Sequence, residues 1–151
     1  MAVPGVSYSK TVLDNGLVIL TERMPAMRSV SIGVWIQVGS RNEERAQAGI
    51  SHFIEHMAFK GTGKRSAEEI AAAIDSVGGT LDAFTSREYT CFSSKILGEH
   101  LPLAVDLLAD LLLNARLDPG DIEKEREVIL QEIKMVEDAP DDQIHDLFAQ
   151  T

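Results

Sequence analysis

Cysteine and positive charge are both scarce in this sequence, and each scarcity excludes a class of protein. Cys91 is the single cysteine in 151 residues, so the chain can form no internal disulfide, which fits a reducing compartment, with the cytoplasm as the first expectation. Lys and Arg number 14 against 24 Asp and Glu, which gives a formal net charge of -10. Nucleic acid is not expected as a partner, because phosphate binding requires clustered basic residues. Basic peptides remain compatible partners, since an acidic cleft attracts them.

Long apolar runs are also missing, and no membrane partner is expected. The most apolar stretch, Leu101–Leu113, is interrupted by Asp106 and Asp110. Residues 1–10 contain no basic region followed by an apolar run, so they lack the pattern of a secretory signal. With 44% hydrophobic residues, the chain has the composition of one globular domain.

Apolar periodicity and turn residues predict an α+β domain in which helices cover a mostly antiparallel sheet. Asn15-Gly16 predicts a turn between two short strands, and Ser66 followed by Glu69 predicts a capping box at a helix N-terminus. The remaining elements are predicted as a strand over Val30–Val38, a helix over 47–60 that ends at Gly61, a helix ending near Val77, a strand-like segment over Thr80–Ile96 with a bend at Ser86–Glu88, and helices over Leu101–Ala115 and Pro119–Glu137. A further helical stretch, Asp142–Gln150, carries no termination signal, so we expect the domain to be incomplete at its C-terminus.

Two histidines and one glutamate share a face of the predicted helix over 47–60. His52 and His56 are four residues apart, and Glu55 directly precedes the second histidine. On a helical wheel of about 100° per residue, the opposite face is apolar and consists of Ile50, Phe53, Ile54 and Met57. Two imidazoles at this spacing can bind one zinc ion, and Glu55 could then accept a proton from zinc-bound water. The alternative is a solvated polar face, and zinc needs a third ligand from elsewhere in the chain.

Two glutamates on the helix over Pro119–Glu137 lie where apolar residues are expected. The core-facing stripe of that helix is predicted to consist of Ile122, Val128, Ile129, Ile133 and Val136. Glu125 and Glu132, seven residues apart, align inside this stripe and are therefore predicted to be buried. A buried carboxylate costs several kcal/mol unless it is paired, hydrogen-bonded or bound to a metal. An ion pair is the more common explanation for a buried glutamate. The other explanation is metal binding, because the helix with two histidines lacks a third ligand that such a glutamate could supply.

Three stretches of this sequence resemble the pitrilysin family of zinc peptidases, whose inverted motif is His-x-x-Glu-His. The family includes insulin-degrading enzyme and the mitochondrial processing peptidase. The stretches are Gly49–Thr62, Ala83–Glu88 and Glu125–Ile133, and the likeness extends over most of the chain from Lys10 onward. It is strongest toward the catalytic processing-peptidase subunits and their bacterial relatives. The resemblance implies a processing-peptidase-like fold and a zinc-dependent peptidase in which zinc-bound water attacks the peptide carbonyl.

The resemblance also implies a role for each residue that matches the family pattern. It implies one zinc ion per chain, with His52, His56 and Glu132 as ligands and Glu55 as the general base. Glu125 matches a further acidic residue that supports catalysis in the family, and it is expected to orient a histidine.

A substrate strand and a second half of the molecule are implied in the same way. The strand containing Asp82, Ala83 and Phe84 is expected to bind an extended peptide by β-augmentation, although many relatives have Asn in place of Asp82. Residues 1–151 are interpreted as the N-terminal part of the first, zinc-bearing peptidase domain, without a second domain. Family subunits contain two homologous halves, so a second half or subunit, in a homo- or heterodimer, is the expected partner. The mitochondrial matrix is the alternative to a cytoplasmic location.

Two alternatives to a peptidase remain open. One is a non-catalytic scaffold or subunit of the same fold, which is expected to lack one or more site residues, whereas none is lacking here. The other is an inactive, truncated fragment whose exposed sheet edge pairs with another copy. Outside the site, Cys91 and Trp35 are predicted to lie in the core, and His100 and His145 are predicted to be surface or capping residues.

Overall fold

The computed structural model describes residues 7–138, so the predicted helical stretch Asp142–Gln150, including His145, lies outside the described residues. The strands are β1 (Ser7–Val12), β2 (Val18–Arg23), β3 (Ser29–Ile36), β4 (Thr80–Thr85) and β5 (Thr90–Leu97). The α-helices are α1 (Ile50–Ala58), α2 (Ala67–Asp75), α3 (Leu101–Asn114) and α4 (Pro119–Glu137). The class is α+β with antiparallel strand pairing, as the sequence predicts.

The strands of the described residues form two sheets. β1 and β2 are a separate antiparallel hairpin whose turn contains Gly16 with a φ of 85°, a conformation that glycine adopts without steric penalty. The predicted turn at Asn15-Gly16 is thereby confirmed. The other sheet has the order β3-β5-β4, with β5 in the centre. The predicted segment Thr80–Ile96 is therefore the β4–β5 hairpin, and in its loop the N–H of Ser86 donates to the carbonyl of Tyr89 at 2.8 Å.

The core lies between the helices and one face of the three-stranded sheet. Its buried apolar side chains form two clusters, which are Ile74, Ile96, Ala104 and Leu107 in one and Ala58, Phe92 and Leu108 in the other. Ile32 and Leu81 contact both clusters, so the two form one continuous layer. Burying each of the larger side chains stabilises the fold by about 1.5–3 kcal/mol. Cys91 is buried as predicted, and burial raises the pKa of its thiol.

Trp35 lies on the opposite face of β3, and the prediction that it belongs to the core is wrong. The alternating apolar positions of β3 are half-buried, and these are Val30, Ile32 and Val34. Because successive side chains of a strand point to opposite faces, the same alternation leaves Trp35 61% exposed. Its ring packs against Tyr89, with ring centroids 5.1 Å apart, and against Phe84, with centroids 6.0 Å apart.

Helix α1 begins at Ile50 rather than at the predicted position 47. Arg45–Gln47 forms a separate 3-10 turn, and Gly49, with a φ of 91°, interrupts the helical path between them. The carboxylate of Glu43 accepts hydrogen bonds from the backbone N–H groups of Gly49 at 2.6 Å and Ser51 at 2.9 Å. Glu43 therefore satisfies free N–H groups of the first helical turn from an earlier loop and fixes where α1 starts.

The segment that follows α1 is held by the buried carboxylate of Asp110 on α3. This residue is 2% exposed and accepts hydrogen bonds from Thr62 Oγ1, Arg65 Nη1 and Asn114 Nδ2, each at 2.8 Å. Burial by itself raises the pKa of Asp110, but the three hydrogen bonds and nearby Lys64 outweigh it and hold the pKa below its ordinary value. The end of α1 is thus tied to the core helix α3.

A capping box closes the N-terminus of α2. The capping box is confirmed, since Ser66 and Glu69 exchange hydrogen bonds at the start of α2. In the range 7–138, no helix combines the length and apolar composition needed to cross a membrane.

Candidate metal centre

Helix α1 holds two imidazoles side by side. The Nε2 atoms of His52 and His56 are 3.0 Å apart, and the two rings are nearly perpendicular. The side chain of His52 is 42% exposed and that of His56 is 20% exposed. The site is therefore accessible to solvent from the His52 side, while His56 is packed more deeply.

Helix α4 brings the carboxylate of Glu132 to the same point. Its Oε2 atom lies 3.8 Å from Nε2 of His52 and 3.7 Å from Nε2 of His56. The three predicted zinc ligands thus present one ligand atom each within 4.8 Å of one another. Ligands at 2.0–2.1 Å from a tetrahedral zinc ion are separated by about 3.3 Å, and the three distances lie close to that value. The donor set and its spacing therefore fit zinc.

Glu125, the other predicted glutamate of α4, contacts His56 from the opposite side of the ring. Its Oε1 atom lies 2.9 Å from Nδ1 of His56, and the residue is 5% exposed. An ionised carboxylate only accepts hydrogen bonds, so Nδ1 carries the hydrogen and Nε2 presents its lone pair toward His52 and Glu132. The resemblance implies an orienting role for Glu125, and the structure places its carboxylate in contact with the ring of a predicted ligand.

Lys60 completes the surroundings of Glu125, and sequence reasoning missed it. Its Nζ atom lies 2.5 Å from Oε2 of Glu125, the oxygen that His56 does not contact. Burial raises the pKa of Glu125, but the hydrogen bonds from Lys60 and His56 and the positive charge of Lys60 outweigh it and hold the pKa below its ordinary value. A buried glutamate predicted on a facing helix could have prompted a search for a lysine one turn after His56.

Glu55, the predicted general base, is half-buried and joined to strand β4. The hydroxyl of Thr85 donates a hydrogen bond of 2.5 Å to Oε2 of Glu55. Thr85 Oγ1 also lies 3.4 Å from Thr90 Oγ1, whose hydroxyl donates to the carbonyl of Val38 at 2.9 Å. Sequence reasoning missed Thr85 as a functional residue, although it lies within the stretch Ala83–Glu88 that carries the family likeness.

The three predicted substrate-binding residues lie on β4. This strand pairs with β5 on one side and is the end strand of its sheet among the strands described. Asp82 and Phe84 are exposed, whereas Ala83 is half-buried and packs against the core cluster that contains Phe92. The backbone of β4 is thus presented at a sheet edge, where an extended chain can add a strand.

The predicted apolar face of α1 is only partly correct. Met57 is buried and Phe53 is half-buried, whereas Ile50 and Ile54 are 43% and 51% exposed. The helical wheel correctly separates these residues from the histidines, but only part of the predicted apolar face is covered in the described structure.

The predicted burial pattern of α4 is partly wrong. Glu125 is buried as predicted, but Glu132 is only half-buried. In the stripe that was expected to face the core, Ile122 and Ile129 are half-buried, and the exposed members are Val128, Ile133 and Val136. Within residues 7–138, α4 packs mainly against α1. A helix with a single packing partner buries a narrow strip rather than a broad stripe.

A protein-family match covers most of the chain. Residues 18–151 match the profile of the insulinase family (peptidase family M16). The chain therefore belongs to this family of peptidases.

Individual relatives carry related names. An uncharacterized zinc protease of Bacillus subtilis (strain 168), YmxG, is 52% identical over 136 residues, which are 90% of this chain and 33% of that protein. The mitochondrial-processing peptidase subunit beta of Lentinula edodes is 45% identical over 125 residues, which are 83% of this chain and 27% of that protein. The chain thus spans about a third of the length of the curated relatives it matches.

A solved structure shares the fold. The crystal structure of a protease from Helicobacter pylori superposes with a TM-score of 0.79 at 28% sequence identity, covering 83% of this chain and 30% of that one. The names of these relatives and the shared fold therefore agree on a family of proteases.

Proposed function

We propose that these residues form the metal-binding and catalytic part of a zinc-dependent endopeptidase, with one zinc ion held by His52, His56 and Glu132. The observation that carries the proposal is the convergence of two imidazole nitrogens and one carboxylate oxygen within 4.8 Å of one another. The names of the relatives, which are zinc proteases, support the same metal. Two imidazoles and a carboxylate are also a common ligand set of catalytic zinc.

The residues around the metal each have a part in peptide hydrolysis. Bound zinc would supply Lewis acidity, which lowers the pKa of a coordinated water to about 7 and polarises the peptide carbonyl. Glu55 is the general base that accepts the proton of the attacking water and passes it to the leaving amine. Thr85 holds one oxygen of Glu55 through its hydroxyl, which leaves the other oxygen for the water. Glu125 keeps His56 in the tautomer that offers Nε2 to the metal.

We propose that the substrate is a peptide in extended conformation that pairs with the edge of β4 beside Asp82, Ala83 and Phe84. The edge position of β4 and its hydrogen bond to Glu55 through Thr85 support this placement. The formal net charge of -10 favours basic, presequence-like peptides. One relative is named as a subunit of a processing peptidase, which supports a second homologous half or subunit as a partner.

The test is Glu55→Gln in the full-length protein that contains these residues. The variant is expected to retain one zinc ion per chain and to lose at least about 100-fold in kcat, because general acid–base catalysis contributes about 10²–10⁴-fold. Metal analysis and cleavage of a fluorogenic peptide measure the two quantities. Glu123→Gln, which removes the same charge from an exposed residue of α4, is the matched control and should cleave normally.

Two outcomes contradict the proposal. Normal cleavage by Glu55→Gln would remove Glu55 from the mechanism. A folded full-length protein without zinc or peptidase activity would favour the non-catalytic scaffold instead.

A further inference from the structure

Lys60 and His56 together hold both oxygens of one buried carboxylate. Nδ1 of His56 lies 2.9 Å from Oε1 of Glu125, and Nζ of Lys60 lies 2.5 Å from Oε2. His56 and Lys60 are four residues apart, so they lie on the same side of the chain as it leaves α1. Glu125 comes from α4, so this arrangement joins the two helices that supply the metal ligands.

We propose that Lys60 is a positioning residue for the metal centre. It fixes Glu125 against His56, and through that contact it sets the ring of His56 and the position of α4, including Glu132. The inference rests on the proposed zinc site and extends it to a residue that touches neither metal nor substrate.

The burial of Glu125 explains why a lysine is needed. The side chain of Glu125 is 6% exposed, and a carboxylate so far from water is unstable without an opposite charge. Nδ1 of His56 contacts one oxygen of Glu125, whereas Lys60 brings a full positive charge to the other oxygen. Without Lys60, the charged carboxylate of Glu125 would be more stable when hydrated by solvent. The side chain would then turn outward, and its hydrogen bond to Nδ1 of His56 would weaken.

The spacing on α4 extends this effect to Glu132. Glu125 and Glu132 are seven residues apart, which is two turns and about 10.5 Å along a helix. An anchor at Glu125 therefore fixes both the rotation and the axial position of α4 at Glu132. Lys60 is itself fixed, because its N–H donates to the carbonyl of Met57 at 3.1 Å and the next residue, Gly61, accepts from the N–H of Arg116 at 3.0 Å.

Neighbouring lysines have different surroundings. The Lys64 side chain is 61% exposed, and its Nζ atom lies 3.9 Å from Oδ1 of Asp110. The Lys124 side chain is 77% exposed and bonds Asp121 on the surface of α4. Lys124→Met also removes one positive charge, and Lys124 pairs with Asp121 rather than Glu125, so it is the matched control.

The experiment compares Lys60→Met, Lys60→Arg and Lys124→Met in the full-length protein. Zinc affinity is measured by competition with a chelator, and the tautomer of His56 is measured by ¹⁵N NMR of the histidine-labelled, metal-free protein, with His56→Gln to assign its signal. Lys60→Met is expected to lower zinc affinity 10- to 100-fold, as for other residues that support a metal ligand, and to reduce the population with hydrogen on Nδ1. Lys60→Arg should restore both quantities to within a few-fold, and Lys124→Met should match the wild type.

A thermodynamic cycle with Glu125→Gln tests the route of the effect. If Lys60 acts through Glu125, Lys60→Met should lower zinc affinity in the wild-type background and have no effect in the Glu125→Gln background. The double variant, which combines Lys60→Met with Glu125→Gln, contains no unpaired buried charge. If Lys60→Met alone fails to fold, comparing the double variant with Glu125→Gln still tests whether Lys60 affects zinc affinity by another route. An equal loss in both backgrounds would overturn the proposal, as would wild-type affinity and tautomer in Lys60→Met.

The two proposals fail in different ways. A wild-type protein that binds no zinc would refute the proposed function. The NMR measurement on metal-free protein would still decide whether Lys60 holds Glu125 on His56.

Discussion

The hydroxyl of Thr85 donates a 2.5 Å hydrogen bond to the carboxylate of Glu55, so the end of β4 is joined directly to the proposed general base on α1. β4 is also the end strand of its sheet among the described strands. A peptide that adds to this edge would therefore lie against the same strand that holds the proposed general base. Thr85 would thus connect the proposed peptide-binding edge of β4 to the proposed general base, Glu55.

Replacing Thr85 by Val removes this hydrogen bond while keeping the shape of the side chain. Hydrogen bonds to charged groups contribute about 1.5–3 kcal/mol, so we expect kcat to fall about tenfold or more. Zinc affinity should not change, because Thr85 contacts none of the three proposed ligands. Steady-state kinetics and chelator competition measure the two effects.

One control variant changes Thr85 itself, and a second changes another threonine of β4. Thr85→Ser restores a hydroxyl and should recover most of the lost kcat, whereas Thr80→Val, at the exposed start of β4, should behave as the wild type. Unchanged kcat in Thr85→Val would show that Glu55 needs no partner on β4.

Asp110 is expected to make stability depend on pH in the acid range. The pKa of its carboxyl in the folded protein lies below the ordinary value of 3.8. Its contribution to the free energy of unfolding is therefore complete above about pH 4, which is near the pKa in the unfolded chain, and is lost as pH falls through the lower folded value. Asp110→Asn should lower the free energy of unfolding by on the order of 3 kcal/mol at pH 7, with a smaller difference from wild type near pH 3.

Urea denaturation at several pH values measures the contribution of Asp110. Asp106, which also binds Arg65 but has a side chain 48% exposed, supplies the control. Asp106→Asn should lower the free energy of unfolding by less than about 1 kcal/mol, since exposed ion pairs contribute little. A difference for Asp110→Asn that stays constant down to pH 3 would contradict the assigned ionisation.

Gly39 is expected to tolerate no side chain. A Cβ atom at this position would lie 2.3 Å from the carbonyl oxygen of Ser86 and 2.8 Å from the backbone nitrogen of Tyr89, and neither backbone atom can move without distorting the β4–β5 loop. Gly39→Ala should lower the free energy of unfolding by about 3 kcal/mol, measured by urea denaturation. Gly63→Ala is the control, because its Cβ would meet no atom within 4 Å, and equal stabilities of the two variants would be evidence against the close approach.

Zinc is expected to stabilise the folded protein. A ligand that binds only the native state at a concentration 100-fold above its Kd raises the free energy of unfolding by about 2.7 kcal/mol. Thermal unfolding with and without zinc should show this increase in the wild type and a much smaller one in Glu132→Gln. Glu127→Gln, an exposed residue of the same helix, should keep the full increase, and an equal response of both variants would exclude Glu132 as a ligand.

Local sequence patterns predict the elements of this protein well. The capping box at Ser66, the turn at Asn15-Gly16 and the helix Pro119–Glu137 all occur as predicted, because each depends on residues close together in the chain. The start of α1 is the exception, since it is set by Glu43 from outside the helix. The pairing of His52 with His56 is likewise a local property of helical spacing.

The sequence by itself determined which side chains could bind a metal, because the type and helical spacing of residues are local properties. Only the tertiary structure decided which of them meet: Glu125 reaches His56 across 69 residues of chain, and Lys60 and Thr85 acquire their partners through the same helix and strand packing. It also decided that Trp35 is exposed and that Glu132 is half-buried, since burial depends on which elements cover each face. The physical reason is that hydrogen bonds and ion pairs between distant segments depend on three-dimensional distance, which periodicity along one element does not specify.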